Sequence, residues 1–355
     1  MQVDYLIVGQ GICGTLLSWF LHKEEKTFLV IDETKNDTAS KVAAGIINPV
    51  TGRRYVYSWM IDEVMPFSHN TYVQFGKHLD SEFISQKSII DFFPSVQMRD
   101  AFITRIIEDD RYLNTYPDQN YFNQFFNYHF GCGEIKPAYL VNMQLMMASW
   151  RNYLLQNQSL QSHNLNLQDL KLHHDFIEYN GITAKAIIFC DGVAAMNNPW
   201  FNMLPFAVNK GEALIIESEG LTNEHIFKKG LILSPLPVKN TYWVGSNYQW
   251  EFENEEPSSK FYEHATQLLN RWLKSPYKVL FHHATVRPAT VERRPFVGMH
   301  PHMHNVGILN GMGTKGASLA PFFAHQLAQH LVYGFPLAPE ADISRFSRIL
   351  SREKN

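Results

Sequence analysis

The tightest constraint on this chain lies in its first 32 residues. Val3–Val8 (VDYLIV) is a short apolar run with the profile of a buried parallel strand, and Gly9-Gln10-Gly11-Ile12-Cys13-Gly14 follows it directly. Ile12–His22 then reads as a helix and Thr27–Asp32 (TFLVID) as a second buried strand, which completes a βαβ unit. A GxGxxG pattern alone is weak, but between a strand and a helix it is specific for dinucleotide binding. Gly9 permits the tight turn, Gly11 lets the backbone approach a pyrophosphate, and Gly14 allows close packing of helix on strand. The free N–H groups of the helix N-terminus, with Ile12 among them, face the phosphates. Asp32, 18 residues beyond Gly14, is placed to accept hydrogen bonds from a ribose diol, and its charge would repel a 2′-phosphate. Glu33 beside it is the secondary candidate for the ribose.

The rest of the chain fits a two-domain α/β protein. Its 355 residues exceed one domain of ~150 residues. Further buried strands are expected at Ala186–Cys190 (AIIFC), before Asp191-Gly192, and at Asn305–Asn310 (NVGILN), before a glycine turn and a long helix from Ala317 to Tyr333. Between them lie strand candidates at Ser88–Phe93, Ser159–Tyr179, Glu212–Glu217, Leu231–Ser234 and Tyr242–Ser246, and a helix at Lys260–Lys274. Pro137–Asn157 reads as a helix with proline in its first turn, and Asn36–Arg54 as a loop or short helix. A parallel sheet must gather the apolar runs that flank the glycine turns, so the nucleotide domain is expected to be discontinuous. The expected division is 1–58, 137–205 and 285–355 for this domain, with 59–136 and 206–284 forming an interleaved α+β substrate domain on a mainly antiparallel sheet.

Three further segments resemble the D-amino-acid oxidase superfamily of flavoproteins, especially glycine oxidase and sarcosine oxidase relatives. Thr38–Ile46 (TASKVAAGI) is similar to the small-residue stretch with which that family holds the pyrophosphate and the flavin ring. Arg287-Pro288 with Pro295–Gly298 (VRPATVERRPFVG) looks like the family's RP…PxIG signature. Asn310–Pro321 (NGMGTKGASLAP) resembles its closing motif, and more closely the GxGxRG…AP form in the oxidase domain of the bifunctional enzyme that matures tRNA wobble uridines, with Lys315 in place of arginine. Gly133–Leu140 is similar to the family's GxVDP helix lead-in.

The resemblance implies a Rossmann-like FAD domain. It also implies cofactor contacts from Ser40, Ala43, Ala44, Gly45 and Ile46, from Asp191 and Gly192, and from Gly311, Met312, Gly313, Thr314, Lys315 and Gly316. FAD is expected to be non-covalent, because Cys13, Cys132 and Cys190 all precede the C-terminal third. The implied activity is oxidation of the C–N bond of a small amine or amino acid, with hydride passing to flavin N5. Arg287 matches the family position that grips a substrate carboxylate, and its fork suits that task. Lys315, before the last helix, is the cation expected to steady charge that develops around flavin N1. Tyr242, Tyr248 and Trp250 are candidate walls of the substrate pocket.

Composition excludes several other classes. With 31 basic and 34 acidic residues, no basic field exists to hold nucleic acid non-specifically. Three cysteines without a CxxC pair cannot make a disulfide framework. No apolar stretch reaches the ~18 residues of a membrane span, and the N-terminus lacks a signal-peptide pattern, so a cytoplasmic protein is expected. His300, His302 and His304 alternate as metal ligands do, but beside Pro301 with no fourth ligand they read as a solvated hairpin, and no metal is expected. Three rival functions stay open at this point: an oxidase for a modified tRNA nucleoside, a flavin-binding protein without turnover, and an NAD-linked dehydrogenase. The sequence names neither the substrate, the electron acceptor nor the oligomeric state.

Overall fold

The computed structural model describes residues 1–35 and 37–351, so Asn36, where the expected Asn36–Arg54 loop begins, lies outside the described residues. Two large sheets organise the chain. The first has a parallel centre in which Gln2–Val8 lies between Phe28–Ile31 and Ile182–Phe189, and Ile182–Phe189 pairs onward with Met303–Asn310. The centres of these runs are buried and mainly apolar, because both faces of the sheet are covered. Helices Ile12–Lys23 and Gly316–Tyr333 pack on one face in a core that includes Leu16, Leu17, Phe20, Ala320 and Phe323. The other face carries Leu6, Leu29, Ile187 and Ile308, closed over by Phe201 and Phe346.

The second sheet has nine strands and is antiparallel except where Ile226–Lys229 runs parallel to Ile84–Phe92. Its main path runs Lys278–Arg287, Asn209–Glu217, Thr241–Gly245, Leu231–Pro235, Ile226–Lys229, Ile84–Phe92, Cys132–Val141 and Ile46–Ile47. Alternation gives it two unlike faces. Ile90, Phe92, Leu214, Phe227, Leu233 and Tyr242 point into an aromatic core closed by the helix Ser259–Trp272. Ile89, Ile135 and Ile226 point the other way, toward the core shared with the dinucleotide helices.

One expected element changes type. Pro137 lies in the strand Cys132–Val141, and the helix begins only at Met143, with the Asn142 side chain accepting a hydrogen bond from Leu145 N at 3.1 Å. The register against Ile84–Phe92 shifts between Lys87 and Ile89, opposite Pro137. A residue without an N–H is tolerated at such an irregularity. No helix among the described residues is long and apolar enough to cross a membrane.

Candidate active site

The C-terminal ends of the parallel strands bring together the segments expected to hold a dinucleotide. Gly9 has φ +95°, and a Cβ there would lie 2.5 Å from the Cys190 carbonyl oxygen. A Cβ on Gly14 would lie 1.8 Å from the Gly9 carbonyl oxygen, so this contact admits glycine alone. Gly11 differs, since a Cβ there would meet only the Ser40 hydroxyl, at 3.2 Å. The helix starts at Ile12 with no side chain of its own capping it and no acid in its first turn. Its Ile12 N–H donates to Ser40 Oγ at 3.1 Å, which holds the Thr38–Ile46 segment over the helix N-terminus. The last helix joins the same place, because a Cβ on Gly316 would lie 3.5 Å from the Ile12 side chain.

Asp32 is held by two donors. The Gln10 N–H donates to Oδ2 at 2.8 Å and Arg151 Nη1 to Oδ1 at 2.7 Å. Arg151 also donates to Thr34 and Ser162, so it ties the second strand to the loop after Leu160–Gln161. The sequence reading missed Arg151. It lies 119 residues from Asp32 on the polar side of another helix, and no local pattern marks it. Glu33 turns away to an ion pair with Lys35.

Asp191 accepts from Asn310 Nδ2 at 3.2 Å, and Asn310 also donates to the Gly192 carbonyl at 2.9 Å. These bonds lock the ends of two parallel strands together. Loss of hydration pushes the Asp191 carboxyl up to about 6. Ala43 is extended and Gly45 has φ +74°, with a Cβ position only 2.0 Å from the Val141 carbonyl oxygen. Ile46 then pairs with Leu140, so the small-residue segment passes from the first sheet to the second.

The Gly311–Gly316 loop turns at Gly311 and Gly313, with φ +78° and +55°. Met312 is buried and Thr314 exposed. The Lys315 ammonium donates to Ser58 Oγ, and Ser58 in turn donates to the Asn48 carbonyl. Burial, with Arg293 and Arg294 close by, lowers Lys315 to about 8. Among the described residues no carboxylate lies within ion-pair distance of it.

Arg287 ends the outermost strand of the second sheet, and its guanidinium lies flat over Gly211. A Cβ on Gly211 would come within 1.7 Å of Nη2. It donates to Asn209 Oδ1 at 2.8 Å, Ser246 Oγ at 2.8 Å and the Asn247 carbonyl at 3.2 Å, and the Tyr248 ring lies 5.2 Å away. All of these partners are neutral. Glu292, the acid nearest in sequence, pairs instead with Arg345 at 3.4 Å. Burial shifts Arg287 below its ordinary value.

Behind it, the buried Glu212 accepts from the Asn247 side chain at 3.2 Å, from Ser258 N at 2.6 Å and from Ser258 Oγ at 2.8 Å. His282 Nε2 lies 3.0 Å from the same carboxylate. Glu212 N donates back to Asn247 Oδ1 at 2.7 Å, which fixes the loop whose carbonyl receives Arg287. Asn209, Gly211, Ser246, Asn247 and Glu212 form the surroundings of Arg287, and none carries a recognisable motif in the sequence.

Of the three aromatic wall candidates, Tyr242 is a correction. It is buried on the opposite face, and its hydroxyl donates to the Leu221 carbonyl at 2.7 Å. Strand alternation sends its neighbour Trp243 to the dinucleotide side, where Nε1 donates to the Val42 carbonyl at 2.9 Å. Tyr248 lies against Arg287, but both it and Trp250 are largely exposed. Arg287 and Lys315 are joined through the backbone, Gly313 N donating to the Pro288 carbonyl at 3.1 Å, but their side chains take different partners.

Residues 156–330 match the family model described as FAD dependent oxidoreductase, DAO. Glycine oxidase from Geobacillus kaustophilus has a similar structure, with TM-score 0.80, 16% identity and 100% of both chains covered. Iminodiacetate oxidase from Chelativorans sp. BNC1 gives 0.75 at 17% identity, covering 97% of this chain and 98% of that one. L-α-glycerophosphate oxidase from Mycoplasma pneumoniae, solved with FAD bound, gives 0.72 at 14% identity, covering 96% and 97%. The tight turn at Gly9 and Gly14, the helix start with no acid in its first turn and Asp32 fit the dinucleotide that such a family carries. Residues 156–330 thus carry the pattern of an FAD-dependent oxidoreductase domain, and the whole chain has the fold of glycine oxidase.

Proposed function

We propose that this enzyme oxidises the C–N bond of an amino acid or another amine that bears a carboxylate. The observation that carries this reading is Arg287, a partly buried guanidinium whose partners in the protein are all neutral. A dehydrated cation is costly unless an anion meets it, and a substrate carboxylate matches its two-pronged geometry. The oxidases of glycine and of iminodiacetate among the structural neighbours act on substrates of this kind by name, which supports the reading.

Bound FAD would supply the two-electron acceptor for oxidation of the carbon beside nitrogen. Residues of this chain orient the substrate for that oxidation. Arg287 fixes the carboxylate, Asn209, Ser246 and Asn247 hold the guanidinium in place, and Tyr248 covers one side of it. Gly9, Gly11, Ile12, Gly14, Asp32 and Ser40 hold the dinucleotide end, with Asp191 and Gly192 bracing the turn. Ala43–Ile46 and Gly311–Gly316 would hold the ring. Lys315 stands at the start of the last helix, where a positive charge would favour a reduced, anionic cofactor.

The test is Arg287→Ala. Losing one charged contact to a dehydrated partner costs ~2–5 kcal/mol, so the KM for the true substrate should rise steeply. FAD content, read from the visible spectrum, should stay unchanged, since the dinucleotide contacts lie elsewhere. Unchanged kinetics in this variant would sink the reading, and so would a flavin that no carboxylate-bearing amine bleaches.

A further inference from the structure

The short segment that begins at Arg287 carries more positive charge than its surroundings balance. Its next turn, Thr290–Arg294, is pinned from several sides. Thr290 Oγ1 donates to the Arg294 carbonyl at 2.7 Å and accepts from Arg294 N at 3.1 Å. Val291 N donates to the Pro205 carbonyl at 3.0 Å, and Gly313 N donates to the Pro288 carbonyl at 3.1 Å. This rigid turn brings Arg294 beside the Lys315 loop, because its guanidinium lies over Trp59, the neighbour of Ser58 to which Lys315 donates, and both Arg293 and Arg294 lower the lysine. The Arg294 guanidinium is spread over the Trp59 ring at 4.1 Å, and Trp59 stacks in turn on Phe323 of the last helix.

Among the described residues, neither arginine has a carboxylate within ion-pair distance. Glu292, the acid between them and Arg287, is committed to Arg345. The protein as a whole carries more acids than bases, so this local surplus is not a general property of the surface. Like charges held together on a fixed turn repel one another, and an anion placed among them relieves that repulsion.

We propose that Arg293 and Arg294 bind a second anionic group on the substrate, a carboxylate or a phosphate, remote from the carboxylate held by Arg287. The inference rests on the proposed role of Arg287 and narrows the substrate to dianionic amines. Arg293 is six positions on from Arg287, so their backbones stand no more than ~20 Å apart, and two arginine side chains shorten the gap that a ligand must span. Trp59 holds the Arg294 head in place beforehand, which lowers the entropy lost on binding.

The experiment uses the FAD-loaded enzyme and reads perturbation of the visible flavin spectrum by non-reacting anions. The probes are acetate, the dicarboxylates from malonate to adipate, and the matching phosphonocarboxylates. At one chain length a dianion should bind at least about tenfold more tightly than acetate, the gain of one charge-assisted contact. Arg293→Gln/Arg294→Gln should abolish that advantage and leave acetate unchanged. Arg293→Gln alone, at an exposed position, should remove part of it without touching the Trp59 contact.

Tightest binding by a phosphonocarboxylate identifies the second group as a phosphate, and tightest binding by a dicarboxylate identifies a carboxylate. The proposal is overturned if no dianion exceeds acetate, or if the advantage survives the double substitution. Failure of the Arg287 reading looks different, because acetate affinity would then be the same in Arg287→Ala as in the parent.

Discussion

The dinucleotide turn and the Arg287 end of the second sheet would recognise their proposed ligands by opposite means. At the turn, recognition belongs to the backbone. Gly9, Gly11 and Gly14 contribute no side chain, and two of them leave no room for one. At Arg287 recognition belongs to a side chain. It is held by Asn209, Ser246 and Asn247, with Glu212 behind them, from strands and loops far apart in sequence. A backbone site is compact and local, whereas a side-chain site is assembled from a distance and can be retuned one residue at a time.

The comparison can be broken most severely at Gly14. Gly14→Val would drive its Cβ into the Gly9 carbonyl, 1.8 Å away even for alanine, so the turn must open. The expected outcome is protein without bound flavin, or none that is soluble, measured as absorbance near the flavin bands per mole of chain. Full flavin content in Gly14→Val would contradict the backbone account of the turn.

Gly211→Ala strikes the other region with a smaller effect. Its Cβ would come within 1.7 Å of the Arg287 guanidinium, which must swing off its neutral partners. KM should rise as in Arg287→Ala but less steeply, with flavin content intact. Parental KM in this variant would mean that the observed pose of Arg287 is not the one that binds substrate.

Lys315 sharpens the comparison through pH. Its proton is lost near pH 8, well below the ordinary lysine value of 10.5, because burial and two arginines disfavour the charge. The rate of flavin reduction at saturating substrate should therefore fall as pH rises through about 8. Lys315→Arg should flatten the profile over that range, and Lys315→Met should give the slow rate throughout. Linkage adds a stability signature. The folded chain binds fewer protons than the unfolded chain between pH 8 and 10.5, so this group makes folding more favourable as pH rises across that window. A pH profile identical in all three proteins would remove Lys315 from the chemistry.

The smallest effect is expected at Tyr242, on the far face of the second sheet. Tyr242→Phe loses one buried hydrogen bond to the Leu221 carbonyl and should cost about 1 kcal/mol in denaturant unfolding. KM should not change. A clear rise in KM would return this residue to the substrate side.

The βαβ unit was legible because its signals are local. Apolar runs of strand length, three glycines at fixed spacing and an acid at the end of the second strand all act within 32 residues. The ends of the second-sheet strands were legible for the same reason: Glu212–Glu217, Leu231–Ser234 and Tyr242–Ser246 each fall within a residue or a few of the observed strands. Pro137 shows where local reading stops. A proline before an amphipathic run resembles a helix start, and only the irregular register against Ile84–Phe92 makes room for it inside a strand.

What the sequence determined by itself is the chemistry available: a dinucleotide turn, an acid for a ribose, an arginine and a lysine on late loops. What only the tertiary structure decided is which partners those groups have. Glu292 stands five residues from Arg287 and yet pairs with Arg345. Asp32 takes Arg151 from a distant helix. Tyr242 and Trp243 are adjacent and face opposite cores. Turns and strand periods depend on neighbours along the chain, but pairing and exposure depend on which surfaces the two sheets bring together, and that is settled by packing among residues a hundred or more positions apart.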